Sequence, residues 1–375
     1  MLAYRLGTTG VTTAAEEGAA PKAGATAGRR CVGSLGVVTI EELDPFDDEQ
    51  MAQYHAVCEQ SERHESRYAC PEMLEDLAIR FRSPSEYEKR LGFFARQDGR
   101  IVAAGFVLLP LRDNVCLADV DVQVLPAHRR KGLGMRLAMH LAEIARAHDR
   151  TVWNGWLYGR DLDEPDGTVR PGEHFATRLG MSLKLLDVQR RLPLPVPVER
   201  LQALLDTAAE RHAGYSFASW VDHCPDEHVP AYCELKAAMN SLTPLGDLEV
   251  EEQHWDEGRV REEEAMLSAS GRSRHVVVAV APDGSLAGHN ELVLSDHEPD
   301  VAWQWDTLVL RPHQGHRLGL ALKVINLRDV QAAHPERTHV RTFNADSNAH
   351  MVAVNEAMGF VPVSYLGEWQ GPVPA

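Results

Sequence analysis

The chain has no Cys-x-x-Cys pair and no Cys/His cluster at zinc spacing; its six cysteines, at positions 31, 58, 70, 116, 224 and 233, are scattered. That excludes a disulfide framework and a structural zinc site, and points to reduced thiols, a cytoplasmic setting and no metal. No apolar segment is long enough to cross a bilayer, so no membrane partner is expected. Positive charge is also short. Lys+Arg 38 against Asp+Glu 55 leaves a formal net charge of −17, which argues against a nucleic-acid surface and in favour of a cationic acceptor. An apolar leader is missing as well. Residues 1–35 are rich in Ala, Gly and Thr and carry Glu16-Glu17 where a signal peptide needs its hydrophobic stretch, so a disordered extension or a mis-called start is expected.

What is present is a repeat. Val120-Asp-Val-Gln-Val-Leu-Pro-Ala-His-Arg-Arg-Lys-Gly-Leu-Gly134 returns as Trp305-Asp-Thr-Leu-Val-Leu-Arg-Pro-His-Gln-Gly-His-Arg-Leu-Gly319. The pairs Asp121 and Asp306, Val124 and Val309, Gly134 and Gly319, and the turns at Asp98-Gly99 and Asp283-Gly284 all share a spacing of 185 residues. One spacing across four landmarks indicates two copies of one fold rather than a chance Gly-x-Gly. In each copy a β-run feeds a loop that opens an amphipathic helix, with Leu133, Leu137, Leu141 and Ala145 on one face of the first. Unpaired amides at a helix start, with glycines that admit a close approach, make a phosphate or pyrophosphate site.

The order of elements repeats too. Hairpins around the two Asp-Gly turns precede strands ending at Val124 and Val309; a helix, a further strand, a short helix and a closing strand follow in each copy. Leu192-Pro-Leu-Pro-Val-Pro-Val198 reads as the linker. The expectation is an α/β (α+β) chain of two tandem domains over residues 36–195 and 196–375, each a mixed, mostly antiparallel sheet flanked by helices.

These residues resemble the GNAT superfamily of acyl-CoA-dependent N-acyltransferases, whose signature is Arg/Gln-x-x-Gly-x-Gly/Ala. Arg129-Arg-Lys-Gly132-Leu-Gly134 fits it, with Val124-Leu-Pro126 before it and Leu179-Gly180-Met181 after it. Gln314-Gly-His-Arg317-Leu-Gly319 puts Arg317 where the first glycine belongs, while Asn344-Ala-Asp-Ser-Asn348 and Asn355-Glu-Ala-Met-Gly359-Phe360 are similar to the Asn-rich segment that borders coenzyme A. The resemblance spans residues 36 to 375 in a tandem, mycothiol-synthase-like arrangement.

The resemblance implies acetyl-CoA, or another acyl-CoA, as co-substrate and a small-molecule primary amine as acceptor, attacked directly in a ternary complex. Its pantetheine would pair with the main chain at Val122, Gln123 and Val124, or at Thr307, Leu308 and Val309. Its pyrophosphate would fall on the loop from Arg129 and Arg130 through Lys131, Gly132, Leu133 and Gly134 to Met135, or on Gln314, Gly315, His316, Arg317, Leu318, Gly319 and Leu320. Asn344 and Asn348 would line the second copy. The family's usual tyrosine acid is replaced by Ala176 and Asn355, and its usual glutamate by Ala118 and Trp303.

Asp119 and Asp121 in the first copy, Glu291 and Asp306 in the second, are therefore the candidate bases, with Tyr158 as a substitute acid. Against these stand plainer readings: a structural hydrogen bond for the paired aspartates, and packing for Tyr158. Each loop is expected to hold acetyl-CoA, the first through Arg129 to Gly134, but only one cleft to carry chemistry, the second being favoured for its richer polar groups. The alternative to an enzyme is an acyl-CoA-binding or sensing protein whose catalytic groups have decayed. Monomer and homodimer both stay open.

Overall fold

The computed structural model describes residues 38–375 apart from 166, 168 and 169; the extension expected over residues 1–35 lies outside them. The first half runs β1 (Thr39–Glu42), α1 (Asp48–Glu65), α2 (Leu74–Arg82), β2 (Glu88–Gln97), β3 (Arg100–Pro110), β4 (Leu117–Val124), α3 (Leu133–Ala147), β5 (Val152–Asp161), α4 (Pro171–Arg178) and β6 (Ser182–Pro193). The second runs α5 (Val198–Ala209), β7 (Ser216–Val221), α6 (Val229–Ala237), α7 (Met239–Leu242), α8 (Glu257–Ala269), β8 (Arg272–Val280), β9 (Leu286–Ser295), β10 (Val301–Val309), α9 (Leu318–Ala333), β11 (His339–Ala345), α10 (Ala349–Met358) and β12 (Val361–Pro372).

Local chemistry explains the elements that position the loops. Asp47 caps α1 by accepting from the amides of Glu49 and Gln50 at 3.0 and 3.1 Å. The β2–β3 hairpin turns at Asp98 and Gly99, both at positive φ, as a two-residue hairpin with right-twisted strands requires. On α3 the apolar stripe predicted at Leu133, Leu137, Leu141 and Ala145 is fully buried against Ala103, Val107 and Val120. α1 covers the other face of the same strands, where Met51, Tyr54 and Val57 meet Phe94 and Ala104.

The strands join in one twelve-stranded sheet, ordered β1-β2-β3-β4-β5-β12-β6-β11-β10-β9-β8-β7. Read inward from either edge the order is the same, and at the centre the closing strands change places. β12, from the end of the chain, pairs with β5 of the first half, and β6 pairs with β11 of the second. The sequence repeat thus builds two units that share their closing strands rather than two separate sheets. The proline-rich segment expected to be a linker is tied down: the Gln331 side chain bonds both main-chain groups of Val196, at 2.8 and 3.0 Å. Polar contacts bridge the halves further, including Arg259 to Asp113 at 2.9 Å and the Asn114 and Glu251 amides, each bonded to the other residue's side chain.

Candidate active site

In each half a pair of parallel strands is joined only at its start. β4 meets β5 over Leu117–Asp119, and β10 meets β11 over Val301–Trp303. Beyond those residues the strands part, so among the described residues the β5-facing edge of β4 past Asp119 has no partner strand. The two loops that follow have one backbone. Arg130 and Gly132 stand at φ 62° and 81°, Gly315 and Arg317 at 82° and 54°, so the two left-handed positions persist while glycine and arginine exchange places. The altered second loop of the sequence is an unaltered loop in space, with Arg317 in the conformation that glycine adopts freely.

Arg129 does not reach outward toward a phosphate, as expected from its charge. Its guanidinium turns back, donating to Val124 O at 3.0 Å and Ser61 Oγ at 2.9 Å and pairing with Glu65. Gln314, at the same place in the second loop, donates to Val309 O at 3.2 Å. The Arg or Gln that opens the motif is a clamp on the last strand carbonyl. What faces outward is the run of amides entering α3, where a Cβ built on Gly132 meets nothing within 4 Å.

A cavity of about 930 Å³ lies against the first loop. It begins at Arg129, Arg130 and Gly132–Met135, follows β4 past Val124, Gln123 and Val122, and ends over Asp121 and Asp119 beneath α1 and α2. Tyr158 is on its wall; its hydroxyl accepts from the Cys70 amide at 2.8 Å and donates to Glu62 Oε2 at 3.2 Å. Burial pushes Asp121 up to about 6, against the pull of hydrogen bonds from the Gln123 side chain, at 2.9 Å, and the Val122 amide. Burial and the nearby Asp121 push Glu62 up to about 8. Two hydrophobic side chains of the wall, Leu366 and Trp369, come from β12, so the far end of the chain completes the first half's cavity.

The second half buries its counterparts. Glu291 and Asp306 are 0% and 3% exposed, and the Lys236 ammonium sits between them at 3.1 and 3.2 Å, with Glu263 at 3.7 Å. Burial alone would neutralise these groups; instead Lys236 holds Asp306 far below the carboxylate range and Glu291 below its ordinary value, and the three carboxylates keep Lys236 charged. His289 adds a third ligand-type side chain within 4.8 Å of the other two, but the ammonium already supplies the cation such a group would hold. The expectation of second-copy bases at Glu291 and Asp306 therefore fails on access. Asn344 and Asn348 are committed too: Asn344 Oδ1 accepts from Arg190 at 2.8 Å and Asn355 at 3.1 Å, and Asn348 caps α10 through the Met351 amide. Lys323 of α9 bonds Asn355 of α10 at 2.7 Å, closing the space between those helices. Arg317 reaches back to Glu210 at 3.1 Å. Two further cavities, of about 620 and 430 Å³, lie away from the second loop.

Residues 47–155 match the model of the Acetyltransferase (GNAT) family. A tandem GNAT protein from the clavulanic acid biosynthesis pathway, solved without AcCoA, superposes with a TM-score of 0.73 at 28% identity, covering 90% of this chain and 99% of that one. The chain has the tandem GNAT fold, with the family match in its first half. A GCN5-related N-acetyltransferase from Sphaerobacter thermophilus shares the fold at 15% identity and a TM-score of 0.59, covering 90% of this chain and 96% of that one. No curated protein matches the chain.

Within this GNAT fold, Asp119, Asp121 and Tyr158 come together on one cavity wall, whereas Glu291 and Asp306 come together in a closed core. Sequence reasoning missed Glu62, Arg80 and Arg90, which also line the first cavity. A signal for Glu62 was present: Tyr54, Cys58 and Glu62 recur at four-residue intervals on the buried side of α1, an acid at the end of a core stripe. Arg90 is separated from Asp121 by thirty residues, and only strand pairing unites them.

Proposed function

We propose that the chain transfers an acyl group, acetyl in the simplest case, from acyl-CoA to the primary amine of a small molecule, and that the first half carries the reaction. The observation that carries this reading is the continuous cavity from the first loop to two carboxylates of raised pKa. Acyl-CoA fits the residues present. The outward amides from Arg130 to Met135 and the positive end of α3 suit a pyrophosphate, and the unpaired edge of β4 at Val122 to Val124 suits an amide-bearing chain. When bound, the co-substrate supplies a thioester carbonyl activated for attack.

The chain's own residues handle protons. The ammonium gives its first proton to solvent, and Asp121, half ionised near pH 6, takes the second as the nitrogen forms its bond to carbon and the C–S bond breaks. Glu62, largely protonated at neutral pH and on the cavity wall itself, is the proton source for the leaving thiolate, with the Tyr158 hydroxyl donating to its Oε2 to hold it in place. A thiol with a pKa of about 8.5 needs little help to leave. The five described cysteines are free thiols, and among the described residues no helix is long and apolar enough to cross a membrane; a cytoplasmic setting accords with both.

The test is thiol release from acetyl-CoA across a panel of small amines, with product mass as confirmation. kcat/KM should be bell-shaped, its limbs near pH 6 and 8 belonging to the Asp121–Glu62 pair as a unit. Binding of acetyl-CoA without release for any amine would favour the reading as a binding or sensing protein.

A further inference from the structure

The inner end of the first cavity holds two guanidinium groups that their surroundings leave incompletely bonded. Arg80, on α2, is 5% exposed; its Nε faces Glu72 Oε1 at 2.6 Å, but its buried Nη2 has no hydrogen-bond partner among the described residues. Arg90, on β2, has a buried Nε without a partner and, among the described residues, no carboxylate within salt-bridge distance. It is held between two rings instead, 4.7 Å from the Phe106 centroid and 5.7 Å from that of Phe81. The two like charges act on each other, since Arg90 helps hold Arg80 down to about 10 after burial has done most of it. Buried N–H donors normally find acceptors, and two guanidinium groups facing one cavity form a seat for an oxyanion, carboxylate or phosphate.

Strand register relates this pair to the carboxylates. Arg90 is opposite Leu108, which is opposite Asp119; Gly92 is opposite Phe106, which is opposite Asp121. Directly opposed residues share a sheet face, so Arg90, Asp119 and Asp121 project to the same side, under α1 and α2. Two strand spacings separate the Cα atoms of Arg90 and Asp119 by about 10 Å, a distance that an extended arginine narrows to the length of a small molecule. Glu88, two residues before Arg90 on that face, is pushed up to about 7 by burial and so neutralises the arginines only in part.

We infer that the acceptor is an amine that also carries an oxyanion, its ammonium toward Asp121 and its carboxylate or phosphate on the Arg80–Arg90 seat. This rests on the proposed transfer at the first cavity and narrows its substrate class from amines in general to zwitterionic ones, amino acids foremost. A simple alkylamine would leave both arginines as they are now and would gain no orientation.

The experiment compares β-alanine, O-phosphoethanolamine and propylamine as acceptors for acetyl-CoA, in the full chain and in Arg90→Gln and Arg90→Lys. The expected result is a kcat/KM at least a hundredfold higher for one oxyanion-bearing amine than for propylamine, whichever of the first two wins naming the oxyanion. Arg90→Gln should raise KM for that amine about a hundredfold with kcat within threefold, and Arg90→Lys should recover part of it. Propylamine should respond to neither variant, and an unchanged melting temperature separates lost recognition from lost folding. Equal kcat/KM for all three amines, or an equal loss on all three in Arg90→Gln, overturns the inference. Should no amine be acetylated, the transfer reading fails, and calorimetry on the CoA-loaded protein decides the seat by itself. Binding of an oxyanion-bearing amine that Arg90→Gln abolishes supports it; no such binding overturns it.

Discussion

The two halves carry the same loop and treat the same aspartate in opposite ways. Arg130 with Gly132, and Gly315 with Arg317, trace one backbone in two residue orders, and Arg129 and Gln314 clamp the same strand carbonyl. Beneath those loops the chemistry diverges. On α1 Tyr54 and Cys58 stand four residues apart, as Tyr232 and Lys236 do on α6; Cys58 lies near Asp121 and Lys236 bonds Asp306. Where the helix offers a thiol, the aspartate stays on a cavity wall with a raised pKa. Where it offers an ammonium, the aspartate becomes half of a buried ion cluster. β10 also holds one extra residue between Gln304 and Thr307 that β4, in unbroken register, lacks, and such bulges re-aim side chains. Loop geometry and catalytic geometry are thus separable: a duplicated fold can keep the first while losing the second.

The largest test of this contrast is Asp121→Asn beside Asp306→Asn. The first should lower kcat by about 10²–10⁴, the usual worth of a general base, and remove the acid limb of the pH profile; the second should leave kcat per folded molecule within twofold. A comparable loss in both would mean the halves share the chemistry.

Lys236→Met should destabilise by about 3–5 kcal/mol, since it strands Glu291 and Asp306 in the core. Its pH dependence carries the sign. In the native chain Asp306 titrates below its unfolded value, so its contribution is present above that value, about 3.9, and is lost as pH falls. Without the ammonium, burial raises it instead, and the variant should lose stability as pH rises through the carboxylate range. From pH 4 to 8 the Asp306 contribution to the denaturant midpoint should therefore stay level in the native chain and fall with rising pH in the variant.

Cys58→Lys asks whether one residue separates the halves. An ammonium beside Asp121 should drop the acid limb below pH 6 and cut kcat at pH 7 at least about tenfold, as the base loses basicity. An unmoved limb would assign the difference to the bulge.

The smallest effects concern the loops. Gly132→Ala meets open space but a positive φ, so it should cost about 1 kcal/mol through backbone strain. Arg317→Gly relieves the same strain and gives up an exposed ion pair worth little, so its melting temperature should match the native value or exceed it. A clear loss in Arg317→Gly would show that the side chain, through Glu210 and α5, holds the second loop in shape.

The fold was largely legible. The 185-residue spacing, the hairpin turns and the stripe on α3 are local patterns, and local patterns survive translation into elements because backbone sterics and side-chain periodicity act within a few residues. The first cavity was legible in part: Val122 to Val124, Arg129, Arg130, Gly132 to Met135, Asp119, Asp121 and Tyr158 lie on its wall, and Lys131 does not. Arg129 misled because charge alone does not say where a side chain points, and Asn348 because asparagine also caps helices. By itself the sequence determined two copies of one strand, loop and helix, the register of each stripe and the composition of both loops. Only the tertiary structure decided that β6 and β12 exchange places, that Leu366 and Trp369 wall the cavity of the first half, and that Lys236 closes one site while Arg80 and Arg90 keep unbonded N–H groups at the other. Each of these depends on contacts between distant segments, where the low dielectric of a packed interior turns an ordinary lysine or arginine into a seal or a seat.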